Sequence, residues 1–159
     1  MRRLVFAALI AMPVPAFAAE QCDHWTAGMQ EDEGGSVMTA SICAPAGKDK
    51  AYLSVTCGEP GKLSIRFLPA PTKGFPPGDN FKGKLEFSLD LKMFDLPSVY
   101  EEMDGALATD TVISAPMVDM LQHQKQVTVS ETSDHGPDAT FSLTGSRAAF
   151  QKLLATCEK

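Results

Sequence analysis

The sequence is short of several things. It has one tryptophan, two tyrosines and three histidines among 159 residues. It has no Cys-x2-Cys pair, so the usual zinc spacing is missing. It has no Gly-x-Ser-x-Gly, which removes the nucleophile elbow of α/β-hydrolases. Past residue 18 no apolar run approaches the roughly 20 residues of a spanning helix, so no membrane span is expected there. Positive charge is scarce too, with 14 Lys+Arg against 20 Asp+Glu. An acidic balance argues against nucleic acid and anionic membrane surfaces as partners. No internal repeat or domain linker is visible.

What is present starts with an export leader. Arg2 and Arg3 make a positive start, Leu4 to Met12 is apolar, and Pro13 and Pro15 end that run. Ala16-Phe17-Ala18 has the small-x-small pattern of a cleavage site. Residues 1–18 therefore read as a cleaved Sec signal peptide, which implies a periplasmic or secreted bacterial protein. Residues 19–159 have the length of one domain. Losing Arg2 and Arg3 takes Lys+Arg from 14 to 12 against 20 Asp+Glu, a net charge of −8.

All four cysteines, Cys22, Cys43, Cys57 and Cys157, follow the leader. In an oxidising compartment an even count reads as two disulfides, and four cysteines allow three pairings. Cys22–Cys43 with Cys57–Cys157 is preferred. The first would pin a segment prone to fray, and the second would lock a C-terminal helix onto a strand.

Most of the remaining pattern has period two. Strands are predicted at 37–43, 51–57, 62–68, 85–91, 98–103, 106–109, 126–132 and 139–144. Leu53, Val55 and Cys57 share a face, as do Leu63, Ile65 and Phe67, and Leu85, Phe87, Leu89 and Leu91. Turns are expected at Pro45-Ala46-Gly47, at 58–61 and, as a two-residue hairpin, at Asp104-Gly105. Helices are expected at 115–124, with Pro116 in the first turn, and at 147–157, with Ser146 as N-cap. The fold class is α+β and mainly β: an antiparallel sandwich or rolled sheet with the C-terminal helix packed on it.

Few residues suggest chemistry. Ser133-Asp134-His135 resembles a triad on paper, but sequence neighbours seldom face one another, and the run reads as a loop. Glu31-Asp32-Glu33 and Glu101, Glu102 and Asp104 read as solvated acidic surface. Met117, Met120 and His123 lie at i, i+3 and i+6 of a predicted helix, and thioether and imidazole suit Cu(I). The competing reading makes the methionines packing residues. The loop 69–83 sets Phe75, Pro76, Pro77 and Phe81 among lysines on stiff backbone, which suits contact with a partner protein. Its competing reading is a crossover whose phenylalanines tuck into the core.

Several landmarks carry a family resemblance. Trp25 stands near the mature start, Tyr-Leu-Ser-Val-Thr-Cys at 52–57 ends a strand, and Ile-x-Phe follows at 65–67. Phe-Ser-Leu-Thr-Gly-Ser-Arg-Ala-Ala-Phe-Gln-Lys-Leu-Leu-Ala-Thr-Cys closes the pattern at 141–157. The chain resembles the small periplasmic VasI/TagO-type proteins associated with type VI secretion, and the invasion-associated locus B family. The resemblance implies a β-sandwich-like envelope accessory protein with a Cys57–Cys157 bridge, and it transfers no catalytic residue. The expectation is a non-enzymatic accessory or binding protein that contacts another envelope or secreted protein and has no cofactor. The alternatives are an inhibitor of a cell-wall hydrolase such as lysozyme, for which Ser98-Val99-Tyr100 is an echo of an inhibitory loop, and a copper-binding protein.

Overall fold

A computed structural model describes residues 22–157 except 33, 77, 79 and 135. The leader at 1–18, Glu33, Pro77 and His135 lie outside the described residues. Nine strands and two helices follow in the order β1 (Thr26–Asp32), β2 (Gly35–Ala46), β3 (Asp49–Cys57), β4 (Lys62–Leu68), β5 (Lys82–Leu89), β6 (Lys92–Glu101), β7 (Ala106–Val112), α1 (Pro116–His123), β8 (Gln126–Glu131), β9 (Asp138–Ser142) and α2 (Ser146–Cys157). The strands form one sheet in the order β1-β2-β3-β4-β7-β6-β5-β8-β9, and every paired neighbour is antiparallel.

Alternation gives this sheet an apolar face. Leu53, Val55, Leu63, Ile65, Phe67, Leu85, Phe87, Leu107, Val129 and Phe141 are each at most 1% exposed. Their neighbours along each strand point outward and are mostly polar, as period two requires. The sheet rolls around that face. Phe67 of β4 and Phe141 of β9 meet edge to face at 6.1 Å between ring centroids, although four strands separate them in the sheet.

Trp25 ties the two edges together. It stands just before β1, at one edge. Its backbone N–H donates to the Thr144 carbonyl (2.8 Å) and its indole N–H to the Ser142 carbonyl (2.9 Å), both at the end of β9, the other edge. Its ring is 2% exposed and lies 5.4 Å from that of Phe150 on α2. Gly145, between β9 and α2, takes φ +80, and a Cβ there would sit 2.5 Å from the His24 imidazole. The tight corner thus depends on glycine.

Helix α2 packs on β1, β2 and β3 and against α1. Ala149, Phe150 and Leu153 are buried, with Leu154 and Cys157 partly so. This is the i, i+4 face that the sequence predicts. Cys57–Cys157 fixes the far end of the helix to β3, and Cys22–Cys43 fixes the N-terminal segment to β2. The preferred pairing is the one observed.

Several local expectations need correction. Leu91 does not continue the inward row of β5. The strand ends at Leu89, Asp90 turns at φ +53, and Leu91 is 93% exposed at the hairpin tip. The chain then re-enters the sheet at once, so β6 starts at Lys92 and not near Ser98. β1 occupies a stretch where no strand is predicted, because β2 offers it a full antiparallel edge. The turn after β6 spans Glu102–Gly105 in place of two residues, since Glu101 pairs with Ala106. Ser146 lies inside the first turn of α2 and is buried; the Gly145 carbonyl accepts the first helical bond, from Ala149. These shifts raise the expected eight strands to nine, in a single rolled sheet.

Two stability predictions follow from the closure. Replacing Cys57 and Cys157 together by alanine opens a 100-residue loop and should cost about 5 kcal/mol, against about 3 for the Cys22/Cys43 pair with its separation of 21. Urea unfolding of the two double variants reads this order directly. Trp25→Phe should cost about 1–3 kcal/mol through the lost indole donor, and Trp25→Ala about 3–5 through lost packing as well. A Trp25→Ala midpoint equal to that of the parent would remove Trp25 from its closing role.

Candidate functional site

The outward face of β1, β2, β3, β4 and β7 gathers polar side chains in register. Ser41, Ser54, Arg66 and Ala108 form one cross-strand row; Tyr52 and Leu68 pair in the next, and Thr39, Thr56 and Ser64 lie in the row on the other side. They lie on the outer face because their neighbours Ala40, Ile42, Leu53, Val55, Ile65, Phe67 and Leu107 face the core, although Thr39 and Ala108 are themselves covered there. The Arg66 stem lies beside small residues, since Ala108 is its cross-strand partner and Ala106 follows along β7. Its Nε donates to Glu101 Oε2 at 2.7 Å and its Nη2 to Oε1 at 3.5 Å. Both side chains are about one-third exposed, at 36% and 30%, so this pair organises the surface more than it stabilises the fold.

Two concavities lie on this face, and a third adjoins them at the Leu68 end, where the inward-turned Tyr100 reaches the rim. One, of about 350 Å³, is lined by Gln30, Ser41, Tyr52, Ser54, Arg66, Leu68, Asp104 and Ala106. A second, of about 220 Å³, shares Gln30, Ser54, Arg66 and Asp104 and adds Glu31, Val37, Thr39 and Thr56. A third, of about 230 Å³, shares Leu68 and is walled by Pro69, Pro71, Phe75, Pro76, Tyr100 and Gly105. Together they make one trough. One end is aromatic and proline-lined; the other carries hydroxyls, an amide and carboxylates.

The predicted recognition loop forms the aromatic end. Phe75 stands edge to face with Phe81 (5.6 Å) and with Tyr100 (6.1 Å). Phe75 and Phe81 are partly buried against the core, and Phe75 and Pro76 also line the trough. Both readings of the loop therefore hold at once. Pro77 lies outside the described residues.

The acidic runs come together here. Glu31 from β1 and Asp104 from the β6–β7 turn line the same concavity, although more than 70 positions separate them, and Glu101 holds Arg66. Sequence reading treated them as scattered surface charge. The clue available was the alternation that turns Tyr52, Ser54, Thr56 and Arg66 outward; the pairing that sets β4 beside β7 is not written in any local pattern.

The other predicted residues lie elsewhere. Met117 is buried at 1% exposure, Met120 is partly buried against the core, and His123 is exposed. His123 Nδ1 lies 2.8 Å from the Asp119 carbonyl and 3.2 Å from Asp119 Oδ1. The helix does not gather these three at one surface. Ser98 and Tyr100 turn inward, and Ser98 is 3% exposed, so the Ser98-Val99-Tyr100 run is a strand segment and not a protruding loop. Ser133 donates both its N–H and its hydroxyl to Glu131, whose carboxylate is buried with Gly83 and Gly136 against it. That serine is committed to holding its loop.

No protein-family model and no curated protein sequence matches the chain. Among solved structures, the chain is similar to the crystal structure of invasion associated protein B from Bartonella henselae. The TM-score is 0.58 at 14% identity, covering 86% of this chain and 95% of the other. At that identity the likeness is one of fold, in line with the second of the two resemblances read from the sequence.

Proposed function

We propose that the chain is a non-enzymatic, exported binding protein that acts by contact with another protein of the cell envelope or its surroundings. The trough carries this reading. It is long and open, it mixes aromatic, hydroxyl and carboxylate groups, and it is built on strands of the sheet. Sites on rigid elements keep their shape and lose little entropy on binding. Export is supported by the leader pattern of residues 1–18 and by two disulfides, which persist in oxidising compartments. The fold shared with invasion associated protein B supports an envelope-related setting. Among the described residues no helix is long and apolar enough to cross a membrane.

A second reading, inhibition of a basic cell-wall hydrolase such as lysozyme, draws on the same carboxylate rim. It fails if excess protein leaves hydrolase turnover unchanged.

The main reading is tested by placing a photo-reactive side chain at Ser54, on the floor of the trough, and another at Lys125, beside β8. Irradiation in the native envelope should give a discrete protein adduct from position 54 and none from position 125. No adduct, or equal labelling from both positions, would remove the trough as the contact surface.

A further inference from the structure

Resting on that reading, we infer that the trough takes an extended segment of a basic partner protein, with an apolar or aromatic side chain at one end and Lys or Arg about four residues along. Three observations converge on this occupant. The first is shape. The trough follows β3 and β4 from the level of Leu68 to that of Thr56, four residues of strand away. At about 3.3 Å per residue this spans roughly 13 Å, which an extended peptide matches residue for residue.

The second is the division of chemistry along that length. At the Leu68 end Phe75, Pro76 and Tyr100 offer apolar walls whose aromatic rings are already held edge to face, so little rotamer freedom is lost when a side chain enters. Along the floor Ser54 and Thr56 can accept from or donate to a peptide backbone. Toward the far end Glu31 lines the floor, and Asp104 reaches the same concavity from the β6–β7 turn.

The third is charge. Arg66 is the one cation lining the two polar concavities among the described residues, and it is engaged by Glu101 at 2.7 Å. The rim beyond it stays acidic, on a chain whose net charge without its leader is −8. A cationic segment is the complement of such a surface and is steered to it.

The test is selection of a random heptapeptide display library on the disulfide-bonded protein. The same selection is run on a Glu31→Gln/Asp104→Asn variant and on a Phe75→Ser variant. Enriched peptides should carry an aromatic or large apolar residue with Lys or Arg three to five positions away. Their affinity should fall at least tenfold on the carboxylate variant and lose most of its salt dependence there. The Phe75→Ser variant should lose the preference for the apolar residue and keep the preference for the cation. Near-ultraviolet dichroism and a thiol count on each variant check that the fold and bridges are intact. Enrichment of acidic or uncharged peptides, equal affinity for parent and carboxylate variant, or no enrichment at all would overturn the inference. Protein adducts at position 54 alongside any of those results would leave the binding role standing and reject only this ligand chemistry.

Discussion

Trp25 donates two hydrogen bonds, from its amide and its indole, to the carbonyls of Thr144 and Ser142, and this pair of contacts joins the edges of the sheet. An open nine-stranded sheet would expose two rows of unpaired backbone groups, which invite pairing with other chains. Here the residue that precedes the first strand bonds the chain where the last strand ends. The same residue puts its ring against Phe150, so the closing contact also seats α2. The helix is then held at its other end by Cys57–Cys157 and midway by Lys152, whose ammonium reaches the Ala27 carbonyl of β1 at 2.8 Å. That last bond covers part of the β1 edge left open beyond the closure. A single aromatic residue thus fixes edge, helix and N-terminal segment together.

Closure at one end of the roll leaves the outer face and the opposite loops to carry function. The β2–β3 turn, the segments leaving β4 and β8, and the β6–β7 turn all emerge at one end of the sheet, opposite the end of β3 that Cys57–Cys157 ties to α2. Two of them, with the outward rows of β1 to β4, frame the trough. Cys43 pairs with Tyr52 across β2 and β3, so the Cys22–Cys43 bridge lies at the same cross-strand level as Tyr52 and Leu68. The framing elements are short and tied to strands, and the one long loop folds its own phenylalanines inward. This is a surface shaped before any partner arrives.

Much of this architecture is readable from residue order because it depends on local periodicity. Leu53 and Val55, Leu63 to Phe67, and Leu85 to Leu89 announce inward faces by alternation, and Ala149, Phe150 and Leu153 announce a helix face by their spacing. The disulfide pairing was accessible for the same reason, since Cys57 and Cys157 end elements whose positions the pattern gives. Where the reading slipped, a non-local interaction decided. Leu91 looks like one more inward residue until the Asp90 turn reverses the chain. β1 has no strong pattern of its own and exists because β2 offers it an edge. The trough was the hardest feature to foresee: Glu31 and Asp104 become neighbours only because β4 pairs with β7 and skips two strands.

Why a lone arginine sits among these carboxylates is itself a physical question. Glu31 and Asp104 line one depression, Glu101 is tied to it through Arg66, and like charges near one another repel. Arg66 relieves this by engaging Glu101 through two of its nitrogens. Beyond a stem set beside Ala108, the guanidinium holds that carboxylate in place at the edge of the floor. The relief is partial by number, with three acids to one base, so the depression keeps a negative field. A second fixed cation would weaken that field further, and without Arg66 the Glu101 carboxylate would lose this partner. The observed ratio therefore allows a surface that folds without excessive repulsion and still has charge left over for a partner to neutralise.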